Sequence, residues 1–290
     1  MIRCVGFDAA AEIAGRWGAP SGLTLGATTA TIDTSVKASG AGALKFTIPS
    51  NSPDNTSGSY FVNFANDLSV QLGAGEEFFV QWRQRFSDNL IGKKYLGGGG
   101  FKQIIVGTGD QPATLYSSCS NLELVATNYY QNGFPTMYNS CGASASHEAY
   151  DGFYEPYGAY DFKLQNARPA PYCLYHGKDF GYFAPNGNCF GYVANEWMTF
   201  QMQVKIGPRV GDEFKNSYIN LWGAREGKPS ELLIQWGPYN LNAGAPADNE
   251  RYGKVWLTPY NTGKDPSEVH PTAYVWYDEL VISRSKISDP

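Results

Sequence analysis

In the ten residues Trp197-Met198-Thr199-Phe200-Gln201-Met202-Gln203-Val204-Lys205-Ile206, apolar and polar side chains alternate from Met198 onward. Met198, Phe200, Met202, Val204 and Ile206 are apolar, whereas Thr199, Gln201, Gln203 and Lys205 between them are polar. Successive side chains of a strand point to opposite faces, so the stretch reads as a half-buried antiparallel strand. Glu77 to Phe86 repeats the pattern, with Phe78, Val80, Trp82, Gln84 and Phe86 on one face. Phe79, Gln81, Arg83 and Arg85 fall on the other.

Beyond these two stretches, further strands are expected at 43–48, 101–106, 122–128, 218–222, 232–236, 254–259 and 274–283, with turn formers joining 222 to 232. Only two short helical segments are expected, at 9–16 and 66–72. The stretch 87–100 ends in four glycines and resists assignment. So does 129–195, rich in Tyr, Gly, Pro and Asn, which reads as an insertion laid over one sheet as a lid or rim. The strand pattern resumes after it, so residues 1–290 are expected to form a single all-β domain, an antiparallel two-sheet sandwich.

Composition supports a folded, turn-rich chain and excludes some functions. Hydrophobic residues are 42% of the chain, and charged residues 17%, below the quarter usual in globular domains. The net charge is −5 with no basic run, which argues against nucleic acid as a partner. The tract Gly97–Gly100 is not followed by Lys-Ser/Thr, so it does not read as a phosphate loop. No apolar run is long enough for a bilayer span. The first eight residues lack a signal-peptide pattern, so a leader removed earlier, or release in a virus particle or by lysis, is expected.

Of the five cysteines, Cys119 and Cys141 flank one tyrosine-rich stretch and Cys173 and Cys189 another. The simplest pairing is sequential, leaving Cys4 over, although four cysteines allow three connectivities. Two disulfides would place the protein outside the reducing cytosol, in an extracellular or virion setting.

The order of these pieces resembles a known family. Ser39-Gly40-Ala41-Gly42-Ala43-Leu44-Lys45-Phe46 opens it, followed by the strand centred on Trp82-Arg83-Gln84-Arg85 and the hairpin over 218–236. The ending Tyr274-Val275-Trp276-Tyr277-Asp278-Glu279-Leu280-Val281-Ile282-Ser283 carries most of the likeness. Together they resemble the concanavalin A-like lectin/glucanase superfamily, a jelly roll that includes laminin-G-like modules and polysaccharide lyases. The resemblance implies an architecture with a ligand groove on a concave outer sheet face, and little specific chemistry.

On that expectation the groove is lined by Gln81, Arg83, Arg85, Lys102, Glu123, Gln201, Gln203, Asn220, Trp222 and Tyr260. These residue types supply the flat apolar surface and paired polar groups that a glycan needs. Arg83 and Arg85 share a strand face and repel unless an acidic partner or ligand compensates. Glycoside hydrolysis is disfavoured: Glu123 stands alone, and the adjacent Asp278 and Glu279 are expected to point to opposite faces. Polysaccharide elimination needs a base beside groups that neutralise a uronate carboxylate. Arg83, Arg85 and Gln103 are candidates for the second task, and His147, His176, Tyr138 or Tyr260 for proton transfer. The alginate-lyase-like Arg-x-Glu-x-Arg and Gln-Ile-His strands are not reproduced.

No cofactor is required by this chemistry. Asp8 and Asp278 could meet where first and last strands pair, a junction that would suit a structural calcium ion. Alternatively, Asp278 accepts hydrogen bonds from a turn. The function expected is therefore binding of a polysaccharide, with elimination as the reaction to test. The alternative is a structural or decoration protein of a virion or extracellular assembly, a homo-oligomer or particle component, for which tyrosine-rich loops would suit the interfaces.

Overall fold

The computed structural model describes residues 1–15, 22–25, 30–52, 57–91, 100–109, 122–129, 134–139, 173–174, 186–187, 190–259, 261–262 and 267–290. In chain order the strands are β1 (Arg3–Val5), β2 (Leu23–Leu25), β3 (Thr31–Asp33), β4 (Ala43–Ile48), β5 (Ser59–Asn63), β6 (Glu77–Phe86), β7 (Gly100–Thr108), β8 (Glu123–Tyr129) and β9 (Phe134–Asn139). The rest are β10 (Cys173–Leu174), β11 (Asn186–Gly187), β12 (Met198–Lys205), β13 (Arg209–Val210), β14 (Glu213–Ala224), β15 (Glu231–Asn242), β16 (Tyr252–Leu257), β17 (Asn261–Thr262) and β18 (Ala273–Ser283). Helix is confined, among the described residues, to a 3-10 turn at Ala10–Ile13 and α1 at Asp88–Ile91.

Two antiparallel sheets account for most of these. The first runs β13-β14-β12-β6-β18-β4-β3, with β15 added to β14 and β1 to β18. The second runs β2-β5-β16-β7-β8-β9, with β17 beside β7. β12 sits directly between β6 and β14, with Phe200 opposite Trp82 and Gln201 opposite Gln81. The alternation seen in the two longest patterned stretches therefore lands in register, apolar against apolar.

The core lies between the sheets. Phe78, Val80, Trp82, Phe200, Met202 and Val204 of the first sheet meet Tyr60, Val62, Ile104, Val106, Leu124 and Val255 of the second. Trp82 is fully buried, stacked on Phe200 at 5.6 Å, and its indole N–H donates to Gln84 Oε1 at 3.1 Å. That bond explains how a glutamine survives on the apolar face: its oxygen has a buried donor within reach.

The stretch 87–100, to which the sequence assigns no strand, contains α1, whose Leu90 is buried. Two expectations are corrected. Residues 66–72 are not helical but form turns leading to a bridge at Leu72. The segment read as an insertion over 129–195 contributes strand β9 to the second sheet, and at its end Phe190 and Tyr192 join the core. Tyr192 packs against Phe86 at 5.0 Å and Phe200 at 6.2 Å. Aromatic residues in that segment read as a rim because they carry no period-two pattern. Isolated rings entering a core from an irregular chain leave no such trace.

The junction of first and last strands is also defined. β1 pairs with β18, Cys4 opposite Val281. Asp278 Oδ2 accepts the N–H groups of Ala38 at 2.8 Å and Ser39 at 3.2 Å, while Oδ1 accepts that of Glu279 at 2.8 Å. Asp8 Oδ1 accepts those of Ala41 and Gly42. One loop is thus held by two carboxylates, and Gly40 within it has φ +57, with no room for a Cβ beside Asp8.

A bulge between Asp278 and Val281, with Glu279 at φ 47, overturns the expected opposition of Asp278 and Glu279. Glu279 Oε1 accepts the Ser39 hydroxyl at 2.6 Å, so both acids serve the same loop. A β-bulge re-aims one side chain, and this one does so.

Burial pushes the Asp278 carboxyl up to about 6, against the three N–H groups that favour its charged form and with help from neighbouring Glu279. A raised acid binds its proton more tightly folded than unfolded. Its contribution to stability is complete below the unfolded value of about 4 and lost as pH rises through about 6. Asp33, by contrast, lies below the usual carboxylate range: burial opposes this, but hydrogen bonds from Ser35, Trp276 and Lys45 prevail. Denaturant midpoints measured across this window are expected to fall with rising pH in the parent protein and to lose that slope in Asp278→Asn. An unchanged slope in the variant would assign it to another group.

Candidate functional site

The expected groove residues divide between the two outer faces of the sandwich. Gln81, Arg83, Arg85, Gln201, Gln203, Asn220 and Trp222 share the outer face of the first sheet, as their register requires. Lys102 and Glu123 stand on the second sheet, on β7 and β8. They do not form one site, because two faces separated by the core cannot share a ligand.

Much of the first face is occupied by the chain itself. The segment following β18 crosses it, where Gln201 Nε2 donates to Ile287 O at 2.8 Å and Gln201 Oε1 accepts the Ile287 N–H at 2.9 Å. Gln81 Nε2 donates to Ser288 O at 3.1 Å, and Lys286 Nζ lies 4.5 Å from the centre of the Trp222 ring. Gln203 is taken up by Glu77 and by Asn220, whose Nδ2 donates to its Oε1 at 2.6 Å. Arg83 pairs with Glu279 at 3.1 Å. Side chains expected to contact a glycan instead hold a strap of the protein's own backbone.

Gln103 is corrected as well. A bulge between Lys102 and Ile104 interrupts β7, so Lys102 takes the outward position and Gln103 does not. Gln103 is fully buried, donates to the Tyr192 hydroxyl, and its carbonyl accepts the Tyr277 hydroxyl at 2.7 Å. It braces the core.

His147, His176, Tyr260, Cys119, Cys141 and Cys189 lie outside the described residues, and of Cys173 only its place in β10 is described. Tyr138 is placed by its backbone, opposite Val125 on β8. Among the described residues no group of three or more His, Cys, Asp or Glu is placed to hold a metal ion. Asp8 and Asp278 are engaged with backbone N–H groups as described. No described helix is long and apolar enough to cross a membrane.

The outer face of the second sheet is where polar chemistry converges. Register aligns Asn63, Lys254, Gly107 and Glu123 in one row across β5, β16, β7 and β8. Phe61, Trp256, Ile105, Val125 and the Tyr138 position form the next. Gly107 has no side chain, so it leaves a gap between an ammonium and a carboxylate whose backbones stand about 10 Å apart, two strand spacings. Phe61 and Trp256 stack at 5.1 Å and 28°, and Lys254 Nζ lies 5.7 Å from the Phe61 ring centre.

Charged groups on the face turned away from the core would ordinarily be wet. Here Lys254 is 4% exposed and Glu123 2%, and Asn63 is fully buried. Lys102 is half-buried beside them: burial lowers its ammonium's affinity for a proton, and the Glu123 carboxylate opposes that shift. Held out of water, such charges act on a ligand more strongly than surface charges do. Trp256 and Lys102, on the same face, are only partly buried.

Asn63, Lys254, Phe61 and Trp256 escape the sequence reading as site residues. A signal exists: Lys254-Val255-Trp256-Leu257 alternates, setting Lys254 and Trp256 on the face opposite Val255 and Leu257. What it does not carry is that this face lies beside Glu123.

No protein-family model and no curated protein matches the chain. Solved structures do. A marine PL-14 alginate lyase from Aplysia kurodai aligns over 90% of this chain and 87% of its own, at 12% identity and a TM-score of 0.50. A double mutant of the alginate lyase Aly36B, in complex with alginate tetrasaccharide, aligns over 99% and 98% at 12% identity and a TM-score of 0.51. At this identity the likeness is one of fold, and that fold is the concanavalin A-like jelly-roll sandwich.

Proposed function

We propose that the outer face of the second sheet binds an acidic polysaccharide, a polymer of uronate sugars. One observation carries the reading: the row Asn63–Lys254–Gly107–Glu123, an amide and an ammonium facing a carboxylate across a residue without a side chain. The ammonium and amide suit a sugar carboxylate, and the carboxylate suits hydroxyls. The adjoining stacked pair Phe61–Trp256 supplies the apolar surface for a ring face. The solved lyases of the same fold add the prior that this architecture accommodates such chains.

The reaction that fits is β-elimination. Lys254 and Asn63 neutralise the uronate carboxylate, making the adjacent C–H acidic. That proton needs a base, and the sequence candidate Tyr138 belongs to β9, which pairs with β8 beside this row. The electron pair closes the new double bond, and the glycosidic oxygen leaves and is protonated. Lys102, with its weakened hold on a proton, is placed on the same face to assist.

The test is to incubate the protein with alginate and with polygalacturonate. Tryptophan fluorescence would report binding near Trp256, and ultraviolet absorbance the unsaturated uronate product. Quenching with rising absorbance is the expected result. Quenching without absorbance would sink elimination and keep binding, and neither signal with either polymer would sink both.

A further inference from the structure

Arg83 and Arg85 occupy one strand face, and their mutual repulsion calls for compensation. The structure compensates only one. Arg83 meets Glu279, but among the described residues no carboxylate forms an ion pair with Arg85 and its side chain makes no hydrogen bond. Its Nε is buried without an acceptor, as is that of Arg83, but Arg83 has Glu279 on its Nη1 and Arg85 has no such partner. A donor shut away from water with nothing to accept its hydrogen costs stability, so natural proteins seldom leave one without purpose.

Its surroundings are unusual for an outer sheet face. Trp276 stands directly across from Arg85 on β18, and Lys45 stands beyond Trp276 on β4. On the other flank is Trp197, one residue before Met198, which pairs with Gln84 and so lies level with Arg85. Trp197, Trp276 and Ala43, with Tyr274 against them, form an apolar cluster separate from the main core. The neighbouring cation is already matched: Lys45 Nζ lies 3.2 Å from Asp33 Oδ2 and 4.4 Å from the Tyr274 ring centre. The Trp276 indole N–H also donates to Asp33 Oδ2, at 3.0 Å. Along this row, among the described residues, Arg85 is the cation left without an anion. It lies beyond the part of the face that the strap at Ile287 and Ser288 crosses.

We propose that Arg85 is the anchor of a second binding site, on the sheet opposite the first, which takes the carboxylate of an acidic sugar. A guanidinium presents a rigid planar fork of donors that matches a carboxylate in two bonds. The aromatic flanks lower the local dielectric around that contact, and half-buried Tyr274 offers the C–H face of a sugar ring a surface to rest on. The choice of a sugar as the carrier of the carboxylate rests on the function proposed above; the need of Arg85 for an anion does not.

Calorimetric titration with a short oligouronate tests the idea in four variants. Lys254→Met disables the second-sheet row, Arg85→Met keeps the aliphatic stem and removes the fork, and the double variant combines them. The expected result is residual binding in Lys254→Met that weakens about tenfold or more in the double variant, with Arg85→Lys in between because it keeps charge without the fork. Residual binding indifferent to Arg85→Met would overturn the site. Equal binding of a polyglutamate peptide at Arg85 would overturn its assignment to sugars. Lys254→Met with undiminished affinity would instead overturn the second-sheet reading, and Arg85→Met alone would still report on this one. The Arg85 Nε–H resonance, followed by NMR during titration with free galacturonate, reads the contact directly. It is expected to shift in every variant that retains Arg85, and its failure to move would sink the proposal even where all variants fold less well.

Discussion

Replacing Lys254 by methionine is expected to weaken oligouronate binding by roughly 30- to 150-fold, equivalent to about 2 to 3 kcal/mol for a lost charge-assisted contact. Methionine keeps the aliphatic stem beside Phe61 and removes only the ammonium. The same change should destabilise the fold, since Glu123, almost without exposure, then stands in its row without that cation across Gly107. Adding Glu123→Gln should restore most of the stability and none of the binding. That divergence separates a binding role from a structural one. Were Lys254→Met to lower the unfolding midpoint while leaving oligouronate affinity intact, the row would be merely a buried charge arrangement and the proposed function would fall.

The largest effect on stability is expected at Trp82. It is fully buried, stacked on Phe200 and bonded to Gln84, on the strand that joins β12 to β18 at the centre of the first sheet. Trp82→Ala removes the ring, leaves a cavity between the sheets and strips Gln84 Oε1 of its donor. Costs of about 3 to 5 kcal/mol are typical of such truncations, a large part of the roughly 5 to 15 kcal/mol that holds a domain folded. Urea unfolding should show a much lower midpoint with little change in slope. A loss below about 1 kcal/mol would mean that the two sheets do not rely on this contact, and the Trp82–Phe200 stack would not be the centre of the core.

Both expectations depend on long-range pairing, and long-range pairing is what the chain read residue by residue does not disclose. The alternation at Glu77–Phe86 and at 197–206 correctly divides apolar from polar sides, since a strand's own geometry decides that division. It also correctly puts Arg83 and Arg85 together, because residues two apart on one regular strand share a face. Gathering Gln81 and Gln201 with Lys102 and Glu123 into one groove fails for a different reason. Which strands lie side by side is decided by pairings between residues far apart in the chain, and nothing local encodes that β7 and β8 stand in the other sheet.

Bulges account for the remaining errors. One extra residue near Gln103 and another at Glu279 each reverse the expected direction of a side chain. Neither bulge is marked by a glycine or proline of its own. The strap of backbone lying over Gln81 and Gln201 is equally silent, because a glutamine that binds a sugar and one that binds a peptide group are the same letter. Local pattern alone was enough to specify the fold class and the faces of the longest strands. Which of those residues meet was settled only by the assembled sheets, because a cross-strand row forms when separate strands come into register, and each strand alone holds one member of it.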